Sequence, residues 1–202
     1  MSFFITFEGI EGCGKTTQLN LLAKWLQRKG KQVYVTCEPG GTEIGKKIRK
    51  ILLLEENSIS VETELFLYLA DRAEHVKRVI WPILKEGKII LCDRYHDSTL
   101  AYQGYGRGID LNFLSFCFST FKFPLPHITF LLDCPVEVGF ERIKGRKYDR
   151  IEKECLMFHQ QVREGFLKLA EANPERIKVI DATLSQEIIQ TQIRAWITKY
   201  GF

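Results

Sequence analysis

The residues best suited to chemistry lie near the N-terminus, at positions 9–16, where the sequence reads GIEGCGKT. This run fits the pattern G-x-x-x-x-G-K-[ST] and stands between a predicted strand over residues 3–7 and a predicted helix that begins at Thr16. Glycines let backbone N–H groups point at phosphate oxygens, and the helix N-terminus adds partial positive charge. Lys15 can reach the β- and γ-phosphates, and the Thr16 hydroxyl can ligate Mg²⁺. The run therefore predicts a binding loop for a nucleoside triphosphate.

A second pair of charged residues, Asp93 and Arg94, directly follows an apolar run that is predicted to be a buried strand over residues 88–92. In a parallel sheet this carboxylate would lie beside Thr16 and orient metal-bound water, and Arg94 would neutralise phosphoryl oxygens. The alternative is a solvated ion pair at a strand end. The sequence lacks the N/T-K-x-D motif with which a GTPase reads guanine, since the late strand ends in Leu-Asp-Cys-Pro at 132–135.

Strands and helices are predicted to alternate along the chain. Strands are predicted at residues 3–7, 32–37, 88–92, 127–132 and 177–180, helices from 16 to Gly30, from Thr42 to 52, and at 61–86, 111–121, 136–144, 152–171 and 185–200, and a loop at 104–108. This alternation is typical of parallel βαβ units with helices on both faces, in which ligands bind at the carboxyl ends of the strands. The prediction is one α/β domain over residues 1–202.

Composition limits the classes of function. Hydrophobic residues make up 45% and charged residues 27% of 202 residues, and the net charge of +4 does not by itself indicate nucleic acid. No stretch has the apolar length of a membrane span, and no export signal begins the chain. Six cysteines form no C-x-x-C pair and no metal-ligand spacing, which predicts free thiols in the cytoplasm. Cys13 is expected to be exposed in the phosphate loop.

Five segments together resemble the thymidylate kinases, enzymes that phosphorylate dTMP with ATP. They are residues 7–17, 38–42, 69–73, 93–104 and 149–152, and the resemblance covers nearly the whole chain. It implies a three-layer P-loop nucleoside monophosphate kinase fold with a parallel five-stranded sheet. It also implies Mg²⁺-assisted transfer of a phosphoryl group from ATP to dTMP, which gives dTDP for dTTP synthesis, with no nucleic-acid or membrane partner.

The resemblance further implies roles for individual residues. Tyr68 and Arg72 lie four apart and share a helix face; the aromatic ring, which is Phe in most members, stacks on thymine and the arginine bonds a base carbonyl. Tyr102 would crowd a ribose 2′-hydroxyl, and Glu11, an unfavourable neighbour for triphosphate, would hold the 3′-hydroxyl. Arg49 would hold the acceptor phosphate or lie on a solvated face. The predicted ATP contacts are Gly9, Ile10, Glu11, Gly12, Cys13, Gly14, Lys15, Thr16, Thr17 and Arg142, the dTMP contacts are Glu11, Glu38, Pro39, Arg49, Tyr68, Arg72, Arg94, Ser98, Thr99, Tyr102 and Gln103, the Mg²⁺ ligands are Thr16 and Asp93, and the catalytic residues are Lys15, Asp93, Arg94, Arg146 and Arg150.

A basic segment at about residues 142–151 resembles the mobile lid that closes over ATP in the bacterial type of these kinases. Enzymes of that type lack an arginine in the phosphate loop and supply one from the lid, and position 12 here is Gly. Arg150 is the first candidate for that charge and Arg146 the second, since residues 146–149 depart from the usual Arg-Gly beginning. The alternative is a solvated basic linker.

The resemblance also implies a homodimer, whose interface could include residues 65–69 and 111–121, although a buried core face would explain these apolar runs equally well. Two other functions are considered. A deoxynucleoside kinase shares the loop and an arginine after the third strand, and it would phosphorylate thymidine faster than dTMP. A non-catalytic ATP-dependent switch would bind ATP without transfer and would not need Tyr68 and Arg72. The four histidines form no site.

Overall fold

Five short apolar runs form the strands of one parallel sheet. The structure is a computed structural model that describes residues 2–54, 56 and 58–202, so Met1, Glu55 and Asn57 of the predicted domain lie outside the described residues. The strands are β1 (Phe3–Glu8), β2 (Val33–Cys37), β3 (Ile89–Asp93), β4 (Ile128–Asp133) and β5 (Ile177–Asp181), in the spatial order β2-β3-β1-β4-β5. All four pairings are parallel, which confirms the predicted α/β class and the five-stranded sheet.

Helices cover both faces of this sheet. They are α1 (Lys15–Arg28), α2 (Glu43–Leu53), α3 (Val61–His75), α4 (Trp81–Lys85), α5 (His96–Thr99), α6 (Leu111–Thr120), α7 (Val136–Ile143), α8 (Leu156–Ala172) and α9 (Gln186–Lys199). Strand side chains alternate between faces. Ile5 of β1 therefore packs with Leu22 of α1 and Ile193 of α9, whereas Phe4 packs on the opposite face with Val76 and Ile80.

Hydroxyl side chains begin three of these helices as the sequence rules anticipate. The Thr42 hydroxyl accepts a hydrogen bond from the Gly45 N–H at the start of α2, and Ser60 and Ser185 do the same for α3 and α9. Each bond satisfies a backbone donor that has no partner inside the helix. The helix predicted from Thr42 is therefore confirmed, and Thr42 is its N-cap.

The long helix predicted over residues 61–86 is interrupted. It consists of α3 and α4 joined by a π-helical segment, Val76–Ile80, which ends two residues before Pro82. Proline has no N–H to donate and its ring crowds the preceding turn, so a regular ladder cannot continue through it. The irregularity before Pro82 is thus accommodated by a wider helical turn.

The prediction of a loop over residues 104–108 is wrong for its first part, because residues 104–106 belong to a π-helical segment, Leu100–Gly106. The glycines serve close packing there. A Cβ on Gly106 would lie 2.7 Å from the Phe158 ring of α8, and one on Gly165 of α8 would lie 2.6 Å from Tyr105. The two helical segments approach so closely that larger residues do not fit.

Several polar residues meet at one edge of the sheet, because parallel strands all end on the same side. β1 runs into the phosphate loop, β3 ends at Asp93, and β2 leads into a cis peptide bond between Glu38 and Pro39. Among the described residues, none of the helices combines the length and the apolar character needed to cross a membrane.

Candidate active site

A cavity of about 980 Å³ opens at this edge. Twenty of the predicted site residues line it: Glu11, Gly12, Cys13, Gly14, Lys15, Thr16, Thr17, Glu38, Pro39, Arg49, Tyr68, Arg72, Asp93, Arg94, Ser98, Thr99, Tyr102, Gln103, Arg142 and Arg146. Gly9, Ile10 and Arg150 do not line it. Residues predicted to contact ATP, residues predicted to contact dTMP and residues of the predicted lid thus line the same cavity.

The phosphate loop holds its lysine over the loop backbone. The Lys15 ammonium donates to the carbonyls of Gly9 at 3.0 Å and Ile10 at 2.7 Å, so these two residues act through their backbone. Gly14 adopts φ 96° immediately before α1, a left-handed conformation that glycine reaches without strain. Cys13 is buried, contrary to the expected exposure.

Gly12 is required by its surroundings. A Cβ at this position would lie 1.9 Å from the carbonyl oxygen of Gly139 in α7, and a Cβ on Gly139 would lie 2.3 Å from the carbonyl oxygen of Glu11. The loop and α7 therefore touch backbone to backbone. An arginine side chain does not fit at position 12 in this arrangement.

Thr16 and Asp93 form the pair of oxygen ligands that was predicted for a metal. The Thr16 hydroxyl donates to the Asp93 carboxylate, which joins the start of α1 to the end of β3. A hydroxyl and a carboxylate suit Mg²⁺, which usually takes few protein ligands and completes its octahedron with phosphates and water. The described residues contain no group of three or more His, Cys, Asp or Glu that could hold a metal.

Arg94 joins the phosphate loop to the opposite wall of the cavity. Its guanidinium donates to the Gly9 carbonyl at 3.0 Å and to the Glu11 carboxylate at 2.9 Å, and Glu11 also accepts from the Tyr102 hydroxyl at 2.6 Å. Burial alone would raise the pKa of Glu11, but Arg94 and Lys15 outweigh it and hold that pKa below its usual value. Glu11 therefore stays ionised.

Arg72 lies at the far end of the cavity, one turn along α3 from Tyr68. It is buried, and its guanidinium donates to Glu38 at 2.7 Å, to the Thr99 hydroxyl at 2.8 Å and to the Tyr95 carbonyl at 3.0 Å. These three bonds fix the guanidinium in one orientation, and a guanidinium has five N–H donors. Donors therefore remain for a ligand beside the Tyr68 ring.

The structure separates the two lid candidates. Arg146 lines the cavity and is paired with Glu152, whereas Arg150 donates to the Leu52 carbonyl at 2.8 Å and to Glu64 at 2.7 Å. Glu64 is buried beneath the lid. Arg146, the second candidate, thus faces the cavity, whereas Arg150, the first candidate, is bonded to Leu52 and Glu64 outside the cavity lining.

Sequence reasoning missed several residues of this site. Glu64 and Glu8 are buried carboxyls beside it, and nothing in the local pattern separates them from solvated or strand-end residues. The start of α9 also lines the cavity through Ser185 and Gln186. Its position at the end of a fifth parallel strand was the available signal.

A phosphate loop, a hydroxyl–carboxylate pair beside it and a second wall joined to the loop by Arg94 are the features of a P-loop phosphotransferase that acts on nucleotides. Comparison with known proteins defines the family. The Thymidylate kinase family model matches residues 7–193. Thymidylate kinase of Carboxydothermus hydrogenoformans is 50% identical over 196 residues, which are 96% of this chain and 96% of that protein.

A second curated relative, thymidylate kinase of Trichormus variabilis, is 47% identical over 207 residues, covering 96% of this chain and 98% of that protein. The crystal structure of thymidylate kinase from Ehrlichia chaffeensis superimposes with a TM-score of 0.81 at 34% identity, covering 97% of this chain and 98% of that one. The chain belongs to the thymidylate kinase family. The predicted fold and family are thereby confirmed.

Proposed function

We propose that this cavity carries out the reaction of the family, ATP-dependent phosphorylation of dTMP to dTDP for dTTP synthesis. The observation that carries the assignment is the shared carbonyl of Gly9, which accepts from both Lys15 and Arg94 while Arg94 also bonds Glu11. One cation of the phosphate loop and one of the acceptor wall are thus adjacent. Two anionic nucleotides can meet only where such charges converge.

The proposed chemistry requires little covalent work from the protein. An oxygen of the dTMP phosphate attacks the γ-phosphorus of ATP, the bond to the bridging oxygen breaks, and ADP leaves. Lys15, Arg94 and Arg146 would neutralise charge on the transferring group. Thr16 and Asp93 would hold Mg²⁺, which when bound neutralises the β- and γ-oxygens.

The proposed acceptor contacts explain selectivity for a thymine deoxynucleotide. Tyr68 would stack on the base and the remaining donors of Arg72 would bond its carbonyl. Tyr102 is held against Glu11 by a 2.6 Å hydrogen bond, so its ring has little freedom to move away from a 2′-hydroxyl. Glu11 would accept the 3′-hydroxyl.

A coupled assay over dTMP, dUMP, UMP, CMP and thymidine tests this function. We expect the highest kcat/KM with dTMP, transfer of label from γ-labelled ATP into dTDP, and loss of turnover when a chelator removes Mg²⁺. Faster turnover of thymidine would identify a deoxynucleoside kinase instead. ATP binding without transfer to any acceptor would identify a non-catalytic switch.

We also propose a homodimer that forms through α3 and α6. Leu65 and Leu114 of the two predicted apolar runs are buried in a shared cluster, whereas Phe66 and Phe116 are 60% and 66% exposed. Exposed aromatic residues on adjacent helices are typical of an interface.

Light scattering should give twice the chain mass, and Phe116→Lys should give a monomer. Met157→Lys, on α8 and 65% exposed, is the matched control; a monomeric wild type would contradict the proposal.

A cytoplasmic location is proposed with it. All six cysteines are free thiols, the state that a reducing compartment maintains.

A further inference from the structure

The carboxyl group of Glu8 is fully buried at the end of β1, one residue before the phosphate loop. It does not line the cavity. One of its oxygens accepts from the Tyr95 N–H at 2.7 Å, and the other lies 2.6 Å from the Ser98 hydroxyl. Glu8 thus binds both ends of the short segment that follows Arg94.

Arg94 depends on that segment for its position. Its backbone has φ 67°, a left-handed conformation that residues other than glycine rarely adopt and that persists only where the surroundings fix it. The Arg94 N–H donates to the Phe7 carbonyl at 2.9 Å, and its guanidinium donates to the Ser98 hydroxyl at 3.2 Å. Ser98, which Glu8 holds, is therefore one of the three groups that fix the Arg94 side chain, together with the Gly9 carbonyl and Glu11.

Among the described residues, the charged groups around Glu8 are paired with one another rather than with Glu8. The charged or titratable groups that face it are Arg72 of α3, Cys92 of β3, Arg94, Asp97 of α5 and Arg176, which precedes β5.

Each of these arginines already pairs with another carboxylate, since Arg72 bonds Glu38, Arg94 bonds Glu11 and Arg176 bonds Asp97. In the part of the chain that the structure describes, Glu8 forms no salt bridge. A buried charge without a partner is strongly unfavourable.

A protonated Glu8 satisfies every hydrogen bond at this position. The Ser98 hydroxyl donates to Glu8 when the carboxyl is ionised. When Glu8 is protonated, its carbonyl oxygen accepts from the Tyr95 N–H and its O–H donates to the Ser98 oxygen, which can still accept from Arg94. Burial and the negative charge of Asp97 raise the pKa of Glu8 to about 8, although Ser98, Arg94 and the Tyr95 N–H act in the opposite direction.

We propose that Glu8 is a positioning residue that works as a neutral carboxylic acid, whose proton holds Ser98 and thereby keeps Arg94 aimed at the cavity. When the proton is lost to solvent, the carboxylate accepts a hydrogen bond from the Ser98 hydroxyl. Its negative charge then attracts the Arg94 guanidinium away from Glu11. This role of Glu8 rests on the proposed phosphorylation of dTMP, because it concerns the position of Arg94 in that reaction. It predicts a loss of turnover on the alkaline side that belongs to Glu8.

The Glu8→Gln variant tests this role because glutamine reproduces the protonated form: its carbonyl accepts from Tyr95 and its amide donates to Ser98. We expect Glu8→Gln to keep wild-type kcat at about pH 7 and to lack the alkaline loss that wild type shows with an apparent pKa of about 8. Glu8→Ala should lower kcat by about 10²–10³-fold, as for loss of a transition-state contact, with KM for ATP little changed.

The matched control is Asp71→Asn, since Asp71 is also a buried carboxyl, whose pKa burial raises to about 6, and is ionised at neutral pH. This variant should keep the alkaline loss of the wild type. The proposal is overturned if Glu8→Gln loses as much activity as Glu8→Ala, or if its alkaline loss equals that of the wild type.

Infrared difference spectroscopy provides a readout that needs no turnover. Wild type should show a protonated-carboxyl band at neutral pH that disappears above about pH 8, and Glu8→Gln should lack it. Absence of the band in wild type refutes the role of Glu8 whatever the activity. A band in a protein that fails to phosphorylate dTMP instead refutes the proposed function alone.

Discussion

Several side chains at this site bond to the same acceptor group. A single substitution therefore changes the contacts of more than one residue. The Gly9 carbonyl accepts from both Lys15 and Arg94, so the two cations are held at a fixed separation by one backbone atom. Arg94 has a further bond to Glu11 and lies 5.0 Å above the Tyr102 ring. Loss of Arg94 would therefore remove the charge proposed to act on the phosphoryl group and also the salt-bridge partner of Glu11.

Lys15→Ala and Arg94→Ala should each lower kcat by about 10²–10³-fold, the usual loss when an electrostatic contact to a transition state is removed. Their thermal melting should stay close to that of the wild type, because neither side chain is part of the apolar core. Arg78→Ala is the control, since Arg78 is exposed and pairs only along its own helix with Glu74. Near-normal turnover in either active-site variant would remove its assigned role.

The phosphate loop could be predicted from the sequence, because its residue pattern specifies the local backbone geometry. It supports Asp93 and Arg94 because they directly follow a recognisable strand. It does not reveal Glu8, since a glutamate beside a motif has the same local pattern whether it is buried or solvated. That Glu8 contacts Tyr95 and Ser98, about ninety positions away, follows only from the pairing of β1 with β3.

At the scale of elements, the segment proposed as a lid is tied to the body of the protein at its base. Buried Glu64 of α3 accepts from Arg150 at 2.7 Å, from Gln103 at 2.9 Å and from Arg107 at 3.1 Å. Arg107 also donates to Glu154 at 2.7 Å, so this cluster connects the lid base with two helical segments. Arg146 lies beyond this anchor, at the cavity.

Arg146→Ala should therefore lower kcat by about 10²–10³-fold with little change in KM for dTMP, because it removes a charge that acts in the transition state. Arg150→Ala should mainly lower stability, since it takes one cation from buried Glu64. Steady-state kinetics and urea denaturation of both variants separate the two roles. The reverse pattern, with the larger kcat loss in Arg150→Ala, would return the catalytic role to Arg150.

The contact between α7 and the phosphate loop gives a second prediction for an element. Gly139→Ala would place a methyl group 2.3 Å from the Glu11 carbonyl, so the loop must shift. We expect a raised KM for ATP and a lower kcat, since phosphate binding depends on the loop backbone. Glu141→Ala, exposed on the same helix, is the control. Unchanged ATP kinetics in Gly139→Ala would show that the loop tolerates the shift.

Prediction of elements from the sequence failed where glycine has two possible meanings. Residues 104–108 contain three glycines, which usually indicate a turn, yet Gly104 and Gly106 lie in a π-helical segment packed against other helices. A Cβ on Gly104 would lie 2.4 Å from Leu111. Local composition cannot separate a glycine needed for φ from one needed for space, because only the tertiary packing differs.

For the whole molecule, the order of the sheet brings the functional segments together. β1 lies between β3 and β4, so the phosphate loop has the Asp93–Arg94 segment on one side and the segment after Asp133 on the other. Arg163 of α8 holds Asp133 with two hydrogen bonds at 2.7 and 2.9 Å, which fixes the second side. The central position of β1 thus brings the phosphate loop, the Asp93–Arg94 segment and the segment after Asp133 to the same edge of the sheet.

The pH dependence of the stability of the whole fold should depend on His96. This side chain packs edge-to-face against Tyr95 and Phe118, and its buried Nδ1 has no hydrogen-bond partner among the described residues. Burial lowers the pKa of His96 from 6.5 to about 4, although Asp97 acts in the opposite direction. Between these values the unfolded chain binds the proton and the folded chain does not, so the free energy of unfolding falls as the pH drops.

The contribution of His96 to that fall is about 1.4 kcal/mol per pH unit. His96→Phe should keep the aromatic packing and lose this term, so its stability should decline less than that of wild type between about pH 6.5 and about pH 4. Urea denaturation across this range measures the difference, and both proteins should show the same slope above about pH 7.5, where His96 is neutral in either state. Parallel acid curves would mean that His96 keeps an ordinary pKa in the folded protein.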